Sequence, residues 1–254
     1  SLGIMYLKEK ETLKYGTNFN YSLGILQSKF DFDQGSKEDI TSLKAGIGYE
    51  QYLKQGSRFK YMTRGELGVN YHDMERKIYL SNRTYKNNGD YFSGTAEWKN
   101  RLNYELPIIS KNFKMDIFGS LNTGYGKFQG FKEDGDGMYL DVKSEDYFSL
   151  RPGAGVEGEW SYTTVKGSKF MLTAGAAYEY ETQDIYGDGN EVKIANTDAG
   201  YYRLEEPEKL DNIFKANVGV GYETARGFKT GVRVEREEGS VKGTKYQLDF
   251  SWKF

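Results

Sequence analysis

The chain ends in Tyr246-Gln247-Leu248-Asp249-Phe250-Ser251-Trp252-Lys253-Phe254, in which every even-numbered side chain is large and apolar and every odd-numbered one is polar or charged. Because successive side chains of a β-strand point to opposite faces, this stretch predicts a strand with one apolar face. Segments 228–235 and 214–223 repeat the pattern immediately upstream. An alternation of period two, rather than a helical period, therefore decides the fold class.

The same alternation recurs along the rest of the chain. Eleven segments show it in all, although its phase is ambiguous in the first of them, 2–13. The other upstream segments are 19–25, 43–49, 59–71, 92–106, 113–125, 148–162 and 169–181. We therefore predict an all-β protein.

The composition is polar overall but rich in aromatic residues. Of the 254 residues, 37% are hydrophobic, 28% are charged and 16% are aromatic, and the mean hydropathy is -0.74. The aromatic content, together with 31 Gly and only 3 Pro, argues against disorder. No apolar run approaches the roughly 18 residues of a spanning helix, which excludes that class. The class of membrane β-barrels is not excluded, because the strands of such a barrel are apolar only at every second residue.

Charge and cysteine content exclude further classes. The net charge of -2, from 35 basic and 37 acidic residues, gives no global electrostatic reason to bind nucleic acid. The absence of Cys removes disulfides, thiolate metal sites and cysteine nucleophiles. The chain opens at Ser1 without a basic and apolar signal segment, so we expect a mature fragment or an excised domain.

The links between the segments alternate in length. Short links with Gly, Ser or Lys turn signals alternate with long polar links rich in Asp, Asn, Lys and Gly. The short links are 14–16, 54–57, 108–112, 165–167 and 225–227, and the long links are 33–39, 81–90, 130–146, 187–210 and 238–243. This asymmetry is typical of a transmembrane antiparallel up-and-down β-barrel with short periplasmic turns and longer extracellular loops.

Aromatic residues concentrate near both ends of the segments. Tyr61 and Tyr71, or Phe170 and Tyr180, are ten residues apart in sequence. At about 3.3 Å per residue and about 40° of tilt, this spacing spans about 25 Å, the height of an outer-membrane apolar band. The predicted aromatic girdle comprises Tyr61, Tyr71, Tyr104, Phe113, Tyr125, Trp160, Phe170, Tyr180, Tyr222 and Phe228.

Closure distinguishes a membrane barrel from an open sheet, since lipid cannot satisfy the backbone groups of an exposed edge. Bacterial barrels have even strand numbers, and the direction of the first segment leaves one strand unaccounted for. We predict about 12 strands in a single domain, 1–254. The twelfth strand is either hidden by a misplaced boundary or lies before Ser1.

The polar positions of the segments carry charges that could pair across a wet interior. The simpler interpretation is the solvated face of a barrel. The functional interpretation is a bore wide enough for a polypeptide. Barrels of about 8 strands are filled by side chains and barrels of about 16 strands enclose an open channel, and a twelve-stranded barrel is intermediate in diameter. The residues predicted to face the lumen are Arg64, Glu66, Glu97, Lys99, Arg101, Glu105, Asp116, Arg151, Glu157, Glu159, Glu179, Arg233, Glu235 and Asp249.

Catalytic and metal signals are weak. His72 is the only histidine, and the adjacent Asp73 must point to the opposite face, so we interpret His72 as a polar rim residue. The carboxylates at 133–136 lack the full ligand register of a calcium loop. We therefore predict no catalytic residue, no metal and no cofactor. Pro152, inside a strand, predicts a bulge or a local pairing defect.

The chain resembles the translocator (β) domain of a monomeric (type V) autotransporter over essentially its whole length. Two motifs show the resemblance. The C-terminal alternation is similar to the assembly signal of outer-membrane barrels, and its residues are Tyr246, Leu248, Phe250, Trp252 and Phe254. The segment Phe148-Ser-Leu-Arg-Pro152-Gly-Ala-Gly-Val156 is similar to a strand of that family. The helix and linker that precede the first strand in this family are not evident here.

The resemblance implies an outer-membrane barrel of a Gram-negative bacterium that anchors an N-terminal passenger, such as an adhesin, and helps to translocate it to the cell surface. It implies a monomer that is not itself an enzyme. The implied partners are outer-membrane lipid, the barrel-assembly machinery and the passenger. A porin or small-solute channel is the main alternative. An outer-membrane enzyme would need Ser and His at its rim in a local pattern that the sequence after His72 lacks.

Overall fold

The computed structural model describes residues 2–12, 16–32, 35–80, 83–107, 110–183, 190–203, 212–239 and 242–252. The long elements within these ranges are all β-strands. None of the described segments forms a helix long and apolar enough to cross a membrane.

Eleven long strands form one strongly curled antiparallel sheet, and each strand pairs with its neighbours in sequence. They are β1 (Leu2–Thr12), β2 (Thr17–Asp31), β3 (Lys37–Tyr52), β4 (Phe59–Leu80), β5 (Arg83–Glu105), β6 (Phe113–Phe128), β10 (Glu145–Thr163), β11 (Lys169–Tyr180), β14 (Asn212–Glu223), β15 (Phe228–Gly239) and β16 (Gly243–Trp252). Five short strands complete the set: β7 (Phe131–Lys132), β8 (Asp134–Gly135), β9 (Leu140–Val142), β12 (Glu191–Ile194) and β13 (Tyr202–Arg203). Each alternating segment overlaps a different long strand, so the predicted antiparallel all-β fold is confirmed.

Alternation sorts the side chains onto two different faces of the sheet. One face, the apolar face, exposes large apolar side chains such as Ile47 (64% exposed), Leu67 (64%) and Val220 (57%). The other, the polar face, carries most of the charged residues of the long strands. A continuous exposed apolar face is typical of a surface that contacts hydrocarbon.

Pairing with β2 settles the phase of β1. Tyr6 lies opposite Leu23 and Met5 opposite Gly24, which places Ile4 and Tyr6 on the apolar face. Among the described residues no pairing joins β1 to β16. The predicted twelfth strand therefore stays a prediction.

Two of the predicted short turns have the same construction. In 164–168 and 224–228 the Thr N–H donates to the carbonyl of the fifth residue, and the Gly N–H donates back to the Thr carbonyl. Gly167 and Gly227 adopt φ values of 82° and 83°, which disfavour residues with a side chain. The sequence pattern Thr-x-Lys/Arg-Gly therefore specifies these hairpins.

The opposite rim differs from its prediction in one respect. Links 33–39 and 81–90 were predicted as loops, but β3 begins at Lys37, β4 continues to Leu80 and β5 begins at Arg83. The loop prediction is wrong for residues 37–39 and 83–90, whereas Gly35 and Ser36 lie outside the strands as predicted. Polar side chains exclude a segment from lipid but not from a hydrogen-bonded ladder. Residues 33, 34, 81 and 82 lie outside the described residues.

The two longest links build a small second sheet at this rim. Its strands lie in the order β13-β12-β9-β7. Val142 of β9, Val192 of β12 and Ala195, which follows β12, are buried. β8 pairs with β5 and attaches the link between β6 and β10 to the long β4–β5 hairpin. Residues 187–189 and 204–210 of the second link lie outside the described residues.

Pro152 ends a ladder without distorting its strand. The register between β6 and β10 is constant from Glu145 to Trp160, so the predicted bulge is absent on that side. Pairing with β11 begins only at Gly153, directly after Pro152, as expected for a residue without an N–H. The predicted local pairing defect is therefore present, on the β11 side.

Candidate functional site

The structure places all the residues predicted to face the lumen on the polar face. Arg64 lies opposite Lys99, and Glu66 opposite Glu97, along the β4–β5 ladder. Directly paired residues share a face of the sheet, and the registers extend this relationship from strand to strand. The members of this set are Arg64, Glu66, Glu97, Lys99, Arg101, Glu105, Asp116, Arg151, Glu157, Glu159, Glu179, Arg233, Glu235 and Asp249.

Opposite charges on the polar face pair with one another. Lys215 Nζ lies 3.1 Å from Glu179 and 3.3 Å from Glu237, and Lys169 Nζ lies 3.2 Å from Glu159. Lys99 Nζ lies 2.6 Å from Glu97 on the same strand. Further pairs are Lys44–Glu66, Arg64–Glu66, Lys60–Glu50 and Arg101–Glu157. The face is therefore charged but locally compensated.

Contacts on the polar face reach across whole strands. Arg64 on β4 donates from Nη2 to Ser22 Oγ on β2 at 2.7 Å, over the intervening β3. Gly46 of β3 makes this possible, since a Cβ there would lie 2.9 Å from both Arg64 and Ser22. Such contacts indicate that the curled sheet is concave on its polar side.

The residues of the predicted girdle lie on the apolar face, and several of them pack against an aromatic ring of the neighbouring strand. Tyr71 packs against Phe92 with ring centroids 5.2 Å apart, and Phe170 packs against Tyr222 at 4.8 Å. The first pair lies towards the long-link rim and the second beside the short turns. Others meet through the ladder: Trp160 lies opposite Phe113, Tyr125 opposite Phe148, Phe228 opposite Trp252, and Phe59 opposite Tyr104.

The predicted assembly signal lies on the same apolar face where it is described. Tyr246, Leu248 and Phe250 of β16 are 76%, 61% and 65% exposed. Trp252 is the last residue of β16, opposite Phe228. Phe254 lies outside the described residues.

A cavity of about 140 Å³ opens on the polar face. Thr95, Tyr147, Arg151 and Glu181 contribute to its lining. The Glu181 carboxylate is almost fully buried, and it accepts the N–H of Leu150 at 2.9 Å and the hydroxyl of Ser149. These hydrogen bonds continue the role of β11 beyond the point where its ladder with β10 has ended.

The carboxylates at 133–136 hold strands together. Glu133 binds Arg76 on β4, with the Arg76 Nε 2.6 Å from Oε1, and accepts the N–H of Leu140 at 2.7 Å. Asp136 accepts the N–H of Lys86 on β5. Within the described ranges, no cluster of three or more His, Cys, Asp or Glu side chains could hold a metal ion.

His72 lies at the centre of a polar cluster that the sequence alone does not reveal. Its Nδ1 is 2.8 Å from Glu38 Oε1, and its Nε2 is 2.8 Å from Ser93 Oγ. The Tyr91 ring stacks on the imidazole at 4.2 Å, and the Tyr91 hydroxyl donates to Glu38. The hydrogen bond from His72 holds the pKa of Glu38, which lies beyond the girdle, below its usual value. Only the register of three strands brings these residues together.

Comparison with known proteins identifies the fold. The translocator domain of the autotransporter NalP from Neisseria meningitidis superposes with a TM-score of 0.74 at 15% identity, covering 99% of this chain and 80% of the other. The β domain of the Bordetella autotransporter BrkA superposes with a TM-score of 0.67 at 12% identity, covering 99% and 89%. No curated protein matches the sequence significantly.

The family model of the autotransporter beta-domain matches residues 3–235. Translocator domains of this family are not enzymes themselves, and the family implies a passenger attached at the N-terminus. The chain therefore belongs to the autotransporter beta-domain family and is an outer-membrane β-barrel of a Gram-negative bacterium that serves passenger translocation.

Proposed function

We propose that residues 1–254 form one monomeric barrel whose polar face lines an aqueous bore for the extended passenger. The compensated charge of this face carries the proposal. Because most lysines and arginines there have a carboxylate partner within about 4 Å, a passing chain meets a hydrated surface with few uncompensated charges to hold it. Such a barrel lets the passenger cross the outer membrane in one direction, and we propose no catalytic step in translocation itself.

The apolar face supports lipid as the partner on the outside. Its large side chains are exposed along every described long strand, and aromatic pairs such as Tyr71–Phe92 and Phe170–Tyr222 lie near opposite rims. Aromatic girdles fix the depth of outer-membrane barrels because their rings favour the interface. We infer that these rows set the position of the barrel in the bilayer.

The C-terminal strand supports the barrel-assembly machinery as a second partner. The exposed apolar side chains of β16 form a regular row on a strand that pairs on one side with β15 in the described part of the chain. An edge strand with free backbone groups is a template for pairing with another chain. We propose that this edge, with Trp252 and Phe254, is what the machinery recognises.

Single cysteines test the proposed bore directly, since the chain has none of its own. Glu66 and Leu67 are neighbours on β4 that occupy opposite faces. In outer membranes, Glu66→Cys should react with a small membrane-impermeant maleimide, whereas Leu67→Cys should react only after detergent solubilisation. Equal labelling of both in intact membranes would overturn the proposal.

Conductance separates a translocator from a solute channel. The barrel in a planar bilayer should give a modest pore, and the same barrel with its natural N-terminal extension inside the bore should conduct less. Equal conductance of the two forms would favour the porin alternative. Surface display of an N-terminal reporter, measured by protease accessibility on whole cells, should accompany the first result.

A further inference from the structure

We propose that Ser93, His72 and Glu38 form a serine hydrolase site on the polar face, at the extracellular end of the barrel. The distances from Ser93 Oγ to His72 Nε2 and from His72 Nδ1 to Glu38 Oε1 are both 2.8 Å. A nucleophile bonded to a base, with the base oriented by a carboxylate, defines a catalytic triad by geometry rather than by sequence order. The inference goes beyond translocation, in a family whose translocator domains are not themselves enzymes.

The hydrogen-bond network fixes the direction of each proton. Asn70 Nδ2 donates to Ser93 Oγ at 2.9 Å, so the single hydroxyl proton of Ser93 is free to point at His72 Nε2. The Glu38 carboxylate can only accept, so it selects the tautomer with the proton on His72 Nδ1. This is the tautomer in which His72 can take the serine proton.

The imidazole is held by stacking on one ring face and by hydrogen bonds at both nitrogens. Tyr91 stacks on it with ring planes 9° apart and simultaneously donates its hydroxyl to Glu38 Oε1 at 2.8 Å. Phe131 stacks on the other face of Tyr91 at 4.5 Å. The side chains of His72 and Glu38 are only 12% and 15% exposed. Such support keeps a catalytic base in one orientation.

The chemistry that this arrangement supports is ester hydrolysis through an acyl-enzyme. Ser93 Oγ attacks the ester carbonyl carbon while its proton moves to His72 Nε2. We assign the Asn70 amide, whose Nδ2 lies 2.9 Å from Ser93 Oγ, as the donor to the developing oxyanion. The carbon–oxygen bond breaks, and the alcohol leaves with the proton from His72. Water, deprotonated by His72, then attacks the acyl group and releases a carboxylic acid and free Ser93.

The position of Ser93 selects the class of ester. Ser93 follows Phe92 of the apolar face, so its hydroxyl lies on the opposite, polar face and away from lipid. Thr95, the next residue on the same face of β5, is among the residues that line the cavity of about 140 Å³, although Ser93 itself is not. A water-soluble ester with a short acyl group fits this setting, whereas the acyl chains of a bilayer phospholipid lie on the wrong side of the sheet.

The experiment uses the complete protein in outer-membrane vesicles, with p-nitrophenyl acetate and butyrate as substrates and a fluorophosphonate as a covalent probe. We expect hydrolysis by the wild type, and a phosphonate adduct that mass spectrometry locates on the peptide containing Ser93. Ser93→Ala and His72→Gln should each lower kcat/KM by at least about 100-fold, the usual contribution of such groups. Ser120→Ala, which removes another hydroxyl from the polar face, is the matched control and should keep full activity.

Two further variants separate catalysis from structure. Glu38→Gln should lower kcat with little change in KM and alter the pH profile, because the orienting carboxylate is lost. Ser93→Cys creates the only thiol within residues 1–254, and it should react with iodoacetamide faster when His72 is present than in the Ser93→Cys, His72→Gln double variant. Heat-modifiable mobility and surface display of the passenger should be unchanged in all folded variants.

Two outcomes would contradict the assignment of Ser93 as the nucleophile. A folded wild type that hydrolyses no faster than Ser93→Ala, or a phosphonate adduct that persists in Ser93→Ala, would exclude Ser93 as the nucleophile. If Ser93→Ala does not fold, equal thiol reactivity in the two cysteine variants would do the same. Each of these outcomes leaves passenger translocation untouched.

Discussion

Arg101 on β5 binds the carboxylate of Glu157 on β10 through both of its terminal nitrogens, with Nη1 3.1 Å from Oε1 and Nη2 2.5 Å from Oε2. Strand β6 lies between them, and the guanidinium carbon sits 3.5 Å from the centroid of the Phe118 ring on that strand. The ion pair therefore spans β6, and the guanidinium of Arg101 stacks on the Phe118 ring of that strand. It ties three strands together on the concave side of the sheet.

A double-mutant cycle should measure this link. Arg101→Ala, Glu157→Ala and the double variant should give a coupling free energy of about 1 kcal/mol, since bidentate geometry and stacking exceed an ordinary surface pair. Urea unfolding of the folded barrel in detergent micelles provides the measurement. The Lys99–Glu97 pair, within one strand and with the lysine side chain 44% exposed, is the control and should couple more weakly. Equal coupling in the two cycles would contradict the interpretation.

Gly155 should tolerate no side chain. A Cβ there would lie 2.4 Å from a ring carbon of Phe118 and 2.6 Å from the backbone oxygen of Ala176, and the backbone cannot move cheaply. We expect Gly155→Ala to lower the free energy of unfolding by about 1–3 kcal/mol, the usual cost of overpacking. Gly119→Ala, where nothing lies within 4 Å, should be nearly neutral in the same urea titration.

The buried carboxylate of Glu133 should stabilise the rim formed by the long links. Its side chain is 1% exposed and binds Arg76, so Glu133→Ala leaves a guanidinium without its partner. A loss of roughly 3–5 kcal/mol of local stability is expected for breaking a buried pair. Limited proteolysis on whole cells should then cut within 129–144. Lys143→Ala breaks a much more exposed pair with Glu191 in the same second sheet and should leave cleavage unchanged.

Acid should loosen the outer ends of β3, β4 and β5. The pKa of Glu38 is lowered by the hydrogen bond from His72, so its contribution to stability is complete above the usual value of 4.5 and is lost as pH falls through the lower folded value. Hydrogen exchange, corrected for its intrinsic pH dependence, should show that protection at these strand ends declines as pH falls below about 4.5. Glu38→Gln should remove this dependence, and a decline of equal size in that variant would assign it to another group.

The last residues should matter for assembly rather than for the folded state. Trp252→Ser with Phe254→Ser should reduce the heat-modifiable barrel in outer membranes, because both side chains belong to the apolar alternation of the C-terminus. Gln247→Ser with Asp249→Ser changes two positions on the polar face of the same strand and is the matched control. Normal barrel levels in the first variant would refute the role of these residues as a signal.

Period-two alternation was sufficient to predict the strands because it is a local property. The pattern of Tyr246, Leu248 and Phe250 requires no knowledge of any neighbour, and the two faces follow from it directly. The contact between His72, Glu38 and Ser93 could not be predicted in this way. It depends on the relative register of three strands, which one sequence does not reveal.

The polar links show a second limit of local reasoning. Residues 83–90 are as polar as a loop, yet they continue β5, because the ladder with β4 satisfies their backbone groups whatever the side chains. The second sheet forms from segments 131–142 and 191–203 that are distant in sequence and individually too short to be recognised. The composition of a segment therefore indicates whether it can contact lipid, but it does not indicate which strand the segment pairs with.

The β4–β5 hairpin extends far beyond the aromatic pair Tyr71–Phe92. β4 runs nine residues past Tyr71, which corresponds to about 30 Å measured along the strand, compared with an apolar band about 25 Å tall. An antibody, phage or protease that approaches from outside therefore meets a stiff ribbon of paired backbone well before it reaches the bilayer. The anchor thus offers a structured surface of its own at this rim, in addition to the passenger.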